Sequence, residues 1–231
     1  MPRNPRNKWL GAGALSLLGG AWLAFPLGCT LLGIRTYEEA GHRAIESDGR
    51  IELRQYQALV VIETLAQGDM NQAGNQAFNR LFGYISGQNT AQQKIDMTTP
   101  VLAKPEAAPQ AAPDGPPQEG QRIEMTTPVL AQQTPAGWRY AFVLPASITL
   151  DNAPAPTNPE VKLAQLPARR VAVIRYSGGW SEQGMQEKSR ELADWIAAKG
   201  LKPLSSPRAA AYDPPWTIPF LRRNEVQVDV E

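Results

Sequence analysis

The sequence predicts an α+β fold built from a duplicated βαββ unit: two antiparallel sheet halves, with two helices packed on one side or flanking a partly closed barrel. Three observations carry this reading. The stretch KIDMTTPVLA, Lys94 to Ala103, returns as RIEMTTPVLA, Arg122 to Ala131, with MTTPVLA identical letter for letter. Two segments of helical periodicity each follow a strand-like segment. Strand, helix, strand, strand then occurs twice along the chain, which with 231 residues and 42% apolar content suits one substantial core.

The amino-terminal segment, residues 1–34, stands apart from the domain at 35–231. Arg3, Arg6 and Lys8 precede an uncharged run from Trp9 to Ile34, the pattern of a targeting or anchoring segment. Within it, PLGC at Pro26 to Cys29 resembles a lipobox and makes Cys29 the expected lipidation site. An uncleaved helix is the alternative, since the run is long enough to span about 30 Å of hydrocarbon at ~1.5 Å per residue. Either way the chain is expected at a membrane, and positive residues inside would leave the folded part facing the periplasm or cell exterior.

The globular elements follow in order. A short strand is expected near His42 to Ile45. Ile51 to Thr64, IELRQYQALVVIET, first alternates and then becomes continuously apolar, as a strand entering a core does. Asp69 is placed to cap a helix from Met70 to Gly87, whose Ala73, Ala77, Phe78, Leu81, Phe82 and Ile85 mark an apolar face. The two decapeptides read as equivalent strands, which Pro100 and Pro128 must end, bulge or confine to an edge. Between them, residues 104–121 form a Pro- and Ala-rich solvated loop. WRYAFVL, Trp138 to Leu144, is a further strand. ARRVAVIRYSG then sets Val171, Val173 and Arg175 against Ala172, Ile174 and Tyr176. Ser181 caps a second helix from Glu182 to Lys199, closed by Gly200, and Arg208 to Tyr212 and Glu225 to Val230 are short strands.

A formal net charge of +1 sets up no broad field that would recruit nucleic acid, so none is expected as a partner. Cys29 is the only cysteine and His42 the only histidine, which excludes intramolecular disulfides, thiolate clusters and two-histidine metal sites. One imidazole suffices as an axial ligand to heme iron, the functional reading of His42; the bland one is an ordinary strand residue. Met97 and Met125 are alternative ligands in principle, although their positions in strands suit core packing. Nothing resembles a nucleophile triad or phosphate loop, and SGG at Ser177 to Gly179 is a turn. Glu225, beside Arg222, Arg223 and Asn224, is the most concentrated polar group. It reads as a salt-bridged strand or, if it faces a groove, as a general base with Tyr212 or Tyr176 as acid. The preceding YDPPWTIPF, Tyr212 to Phe220, is a proline-stiffened aromatic loop suited to walling a flat apolar ligand or lidding the core.

Taken together, IELRQY, FGYISGQN, the two MTTPV strands, the FVLP strand end and the terminal YDPPWTIPFLRRNEV closely resemble the SOUL, or heme-binding protein, family from about Tyr37 to Val230. That resemblance implies a distorted antiparallel β-barrel flanked by two helices, and non-covalent binding of heme or another tetrapyrrole in an apolar groove beside the first helix. It places Met70, Ala73, Phe78, Phe82, Tyr212 and Trp216 near the ligand, with Arg54 or Arg80 at the rim for the propionates. The fold also resembles gyrase-inhibitor-like small-molecule-binding domains, some of which look like hydrolases. The expected function is a membrane-tethered heme binder without enzymatic activity. The alternatives are a hydrolase using Glu225 and Tyr212, or a ligand-free interaction module.

Overall fold

The structure, a computed structural model, describes residues 37–90 and 120–231. Cys29 and the apolar segment, the first decapeptide with Met97 and Pro100, and residues 104–119 of the loop lie outside the described residues. Among the described residues no helix is long and apolar enough to cross a membrane.

Nine strands form one antiparallel sheet. In chain order they are β2 (His42–Asp48), β3 (Ile51–Tyr56), β4 (Leu59–Ala66), β7 (Val129–Thr134), β8 (Gly137–Val143), β10 (Val161–Leu166), β11 (Arg169–Tyr176), β12 (Arg208–Ala211) and β13 (Asn224–Val230). Four two-residue strands pair outside it: β1 (Glu38–Glu39) with β6 (Thr126–Thr127), and β5 (Asn89–Thr90) with β9 (Ala155–Pro156). The order across the sheet is β10-β4-β8-β7-β12-β13-β11-β3-β2. Leaving β2 aside, it reads the same from both ends: β10, β4, β8, β7 answer β3, β11, β13, β12, about an axis between β7 and β12.

The duplication predicted from the sequence is therefore present, with one exchange. Each unit begins with a strand, β3 or β10, that pairs in the other unit's half of the sheet. Ile51 to Thr64 is thus two strands, not one, and so is the segment from Val161 to Tyr176. The strands after the first helix are β7 and β8, so the second decapeptide is matched structurally by β12, with Ala131 opposite Ala209. Pro128 divides it as the sequence required: β6 ends at Thr127 and β7 starts at Val129.

This exchange forces the sheet to curl. β3 and β4, like β10 and β11, are six strand spacings apart, about 29 Å in a flat sheet at ~4.8 Å per spacing. The links at 57–58 and 167–168 span no more than about 11 Å. Only a half-barrel brings those strand ends together.

Both helices lie on one face. Helix α1 (Met70–Ile85) is capped by Asp69, whose side chain accepts from the backbone N–H of Asn71 and Gln72; α2 (Glu182–Ala198) is capped by Ser181 through the N–H of Gly184. Each ends on a left-handed glycine, Gly87 at φ 113° and Gly200 at φ 66°, in a motif that bonds two of the last carbonyls. Under the helices Ile62, Phe142, Ala172, Ile174 and Val226 join Met70, Leu81, Leu192 and Ile196 in the larger core, where Met125 also packs. Successive strand residues point to opposite faces, so Tyr56, Val61, Leu130, Val143, Val171, Val173 and Tyr212 form a second core on the helix-free face, inside the curl.

Candidate functional site

Strand β13, NEVQVDV, turns Val226, Val228 and Val230 to the helices and Glu225, Gln227 and Asp229 to the interior of the curl. Buried polar side chains on a strand must find partners, because an unpaired one costs on the order of 1–3 kcal/mol. Glu225, fully buried, finds four. Arg54 donates to both carboxylate oxygens at 3.0–3.1 Å, and Arg223 donates to Oε1 from Nε at 3.0 Å and from Nη2 at 2.8 Å. Tyr212 donates its hydroxyl to Oε2 at 2.8 Å, and Gln227 its amide at 3.1 Å. Both arginines are held in turn: Arg54 by Glu52 at 2.7 Å and Arg223 by Glu39 of β1 at 3.0 Å. The Arg223 guanidinium also lies 3.8 Å from the centre of the Tyr212 ring. Farther along the strand Asp229 accepts from Arg208 and Arg169.

Burial alone would push the Glu225 carboxyl up, but Arg54 and Arg223, with their hydrogen bonds, hold it below the usual carboxylate range. Burial pushes the Tyr212 phenol well above its ordinary value, and the adjacent Glu225 adds to that. The pair predicted for acid–base work is therefore in contact. Its carboxylate, however, is an anion whose lone pairs are already used, and a base needs a free lone pair and a pKa near working pH. The cluster can hold charge in place and lock four strands and the start of the domain together. Tyr176, the alternative acid, belongs to the helix face, opposite Glu225, and burial pushes it up to about 12.

The residues expected around a tetrapyrrole do not form one pocket. Met70 and Ala73 are buried beneath α1. Phe78 and Phe82 lie along one flank of it, 42% and 44% exposed, and stack on each other with centroids 5.6 Å apart and planes 10° from parallel. Phe142 of β8 meets Phe78 edge-on at 5.7 Å. Tyr212 lies inside the curl, and Trp216 is in the loop 213–223, where Arg222 Nε donates to Thr217 O at 2.6 Å and Gly178 N donates to Pro219 O at 2.9 Å. His42 is on the exposed edge strand β2, its ring 5.1 Å from that of Tyr56. Because Tyr56 faces the interior of the curl and His42 is its cross-strand partner, His42 and α1 are on opposite faces of the sheet.

Arg54, expected at a rim, is instead buried beneath Glu225. Arg80, two residues from each ring of the aromatic pair, turns to the other flank of α1, donating to Leu65 O at 2.9 Å and pairing with the exposed Glu160 at 2.8 Å. A surface cleft of about 500 Å³ lies between the β7–β8 turn and α2, lined by Pro135, Trp138, Glu182, Met185 and Arg190 among others; it contains none of the predicted ligand residues. Among the described residues no group of three or more His, Cys, Asp or Glu could hold a metal ion.

The polar cluster was legible in part. Alternation in NEVQVDV puts Glu225, Gln227 and Asp229 on one face and three valines with Asn224 on the other, and IELRQY likewise puts Glu52, Arg54 and Tyr56 on one face. That both sets face each other across a closed core is what the alternation alone does not say.

Comparison with known proteins decides the family. The SOUL heme-binding protein family matches residues 37–113 and 114–229. The chain belongs to the SOUL heme-binding protein family. The break between the matched stretches falls between the two decapeptides, inside the first unit of the sheet, whose second unit starts at β10. No curated protein sequence matches this SOUL chain. Among solved structures it is similar to the C-terminal domain of EcmrR, at 12% identity and a TM-score of 0.52, covering 78% of this chain and 96% of that one. It is also similar to a hydrolase from Listeria innocua, at 11% identity and a TM-score of 0.49, covering 81% and 94%. At such identities the EcmrR likeness concerns fold, which the SOUL domain shares as a curled antiparallel sheet with two helices.

Proposed function

We propose that this SOUL protein is a membrane-tethered binder of heme or a related tetrapyrrole, which buffers or passes on its ligand without transforming it. The observation that carries the binding surface is the stacked Phe78–Phe82 pair. Two large, partly exposed rings on one flank of an otherwise well-packed helix leave apolar area in water, and a flat apolar macrocycle is the ligand such a platform fits. The family supports heme as the macrocycle. Arg80, two residues from each ring, turns to the other flank of α1 toward Leu65 and Glu160 and takes no part in the platform. Bound heme would bring its iron and absorbance; the chain's own part is to shelter the ring. His42, on the opposite face, takes no part in this arrangement. The apolar run from Trp9 to Ile34, with Cys29, supports the tether.

Titration of heme into residues 37–231 tests the proposal. We expect a saturable Soret shift at micromolar heme, weakened about tenfold or more by Phe78→Ala with Phe82→Ala, an effect on the order of 1.4 kcal/mol, and unchanged by His42→Ala. A titration without saturation would sink the reading, and dependence on His42 would move the site to the other face.

A further inference from the structure

We infer that the loop 213–223 is a second membrane contact, which inserts Trp216 and Phe220 into the lipid headgroup region beside the tether. This rests on the tethered reading above. Trp216 and Phe220 are 56% and 72% exposed, unusual for large rings on a loop whose backbone is stiffened by Pro214, Pro215 and Pro219.

Their position singles out the partner. The described chain enters the domain through β1, where Glu39 pairs with Arg223 at 3.0 Å. The neighbouring Arg222 donates to Thr217 O at 2.6 Å and to Pro215 O, the carbonyls on either side of Trp216. Two adjacent arginines thus fasten the aromatic loop beside the strand through which the described chain enters the domain. Ile34, the last apolar residue of the segment, is four residues before Glu38, a reach of no more than about 14 Å. If the anchor ends there, this end of the domain must sit at the bilayer surface.

Tryptophan and phenylalanine suit that depth, where an apolar ring can enter the acyl boundary and an indole N–H can stay wet. The prolines reduce the entropy lost on insertion. The tether raises the effective concentration of lipid at the loop, so even a weak insertion is populated. The insertion would hold the domain in one orientation, with β1 and the loop down.

The experiment uses the full chain in phosphatidylcholine vesicles, with and without lipids brominated along the acyl chain. Flotation reads the tether, and quenching reads the loop. The Trp216 emission is the difference between the parent chain and Trp216→Phe, which keeps a ring at that position; placing Trp at 220 as Phe220→Trp in the Trp216→Phe background gives a second reporter. We expect brominated lipid to reduce both signals about twofold or more. Flotation with neither signal quenched overturns the inference and leaves the tether standing; this includes the case in which the loop is covered by the chain's own amino-terminal segment. A chain that does not float overturns both.

Discussion

Glu225 shows how one buried carboxylate can organise a polar interior. Its four partners come from β3, β13 and the segment before β13: two arginines that offset its charge and two neutral donors, Tyr212 and Gln227. Removing Arg54, which binds both carboxylate oxygens, leaves the buried Glu225 charge and the half-buried Glu52 charge with Arg223 alone nearby, so Arg54→Ala should cost about 3–5 kcal/mol of stability, read as a lowered urea midpoint. The pH dependence follows from the sign of the shift. A carboxyl held below its unfolded value contributes stability that is full above the unfolded pKa, about 4.3 for glutamate, and is lost as pH falls through the lower folded value. Urea midpoints of the parent chain and Glu225→Gln should therefore converge as pH falls from about 6 to 3. A constant gap over that range would mean that Glu225 is not held as an anion. Phe78 and Phe82 are the opposite case, rings whose exposure costs the fold little and whose truncation should act on ligand binding more than on stability.

At the scale of elements, α1 is the piece on which the proposed binding surface depends. Its sequence, MNQAGNQAFNRLFGYI, contains two interior glycines and no acidic residue in the first turn, so local propensity is modest. Packing against β4, β8 and β10 and the two terminal motifs hold it. The Tyr140 hydroxyl donates to Met70 O at 2.5 Å, and the Tyr84 hydroxyl to Pro154 O at 2.8 Å, which pins both ends to neighbouring elements. Asp69 contributes the first-turn bonds, and Asp69→Ala should cost about 1 kcal/mol. Thermal melting followed by circular dichroism would measure it, and a loss near zero would show that packing alone holds the first turn. α2 is fastened differently, by Arg50–Glu191, Lys199–Glu46 and the Trp195 Nε1–H donated to Asp48. These contacts put polar side chains along β2, the edge strand that most needs protection from further pairing.

At the scale of the molecule, the exchanged strands β3 and β10 tie the two units into one body. Neither unit can complete its half of the sheet alone, so unfolding should be a single transition. Near the start of the described residues Glu38 already accepts from Ala146 N at 2.8 Å, which fastens the domain from its first strand. Deleting residues 1–36 should therefore leave the urea midpoint and the heme titration unchanged while abolishing flotation with vesicles. If the truncated chain still floats, the membrane contact resides in the domain rather than in the tether.

What the sequence determined by itself is local. Periods of 2 and 3.6, a capping Asp69 and Ser181, the closing glycines and the breaking Pro128 are each written within a few residues, and each corresponds to an observed strand, helix or boundary. The order of strands and helices disclosed the duplication for the same reason. Two things were decided only by tertiary structure. Tight links at 57–58, which split what the sequence read as one strand from Ile51 to Thr64, and at 167–168 sent β3 and β10 across the sheet, curling it. That curl then assigned faces: it brought Arg54 to Glu225 across 171 residues of chain, enclosed both, and put His42 and Tyr212 on one side of the sheet with Phe78 and Phe82 on the other. Periodicity tells which residues share a face of one strand; only closure of the sheet tells what that face meets.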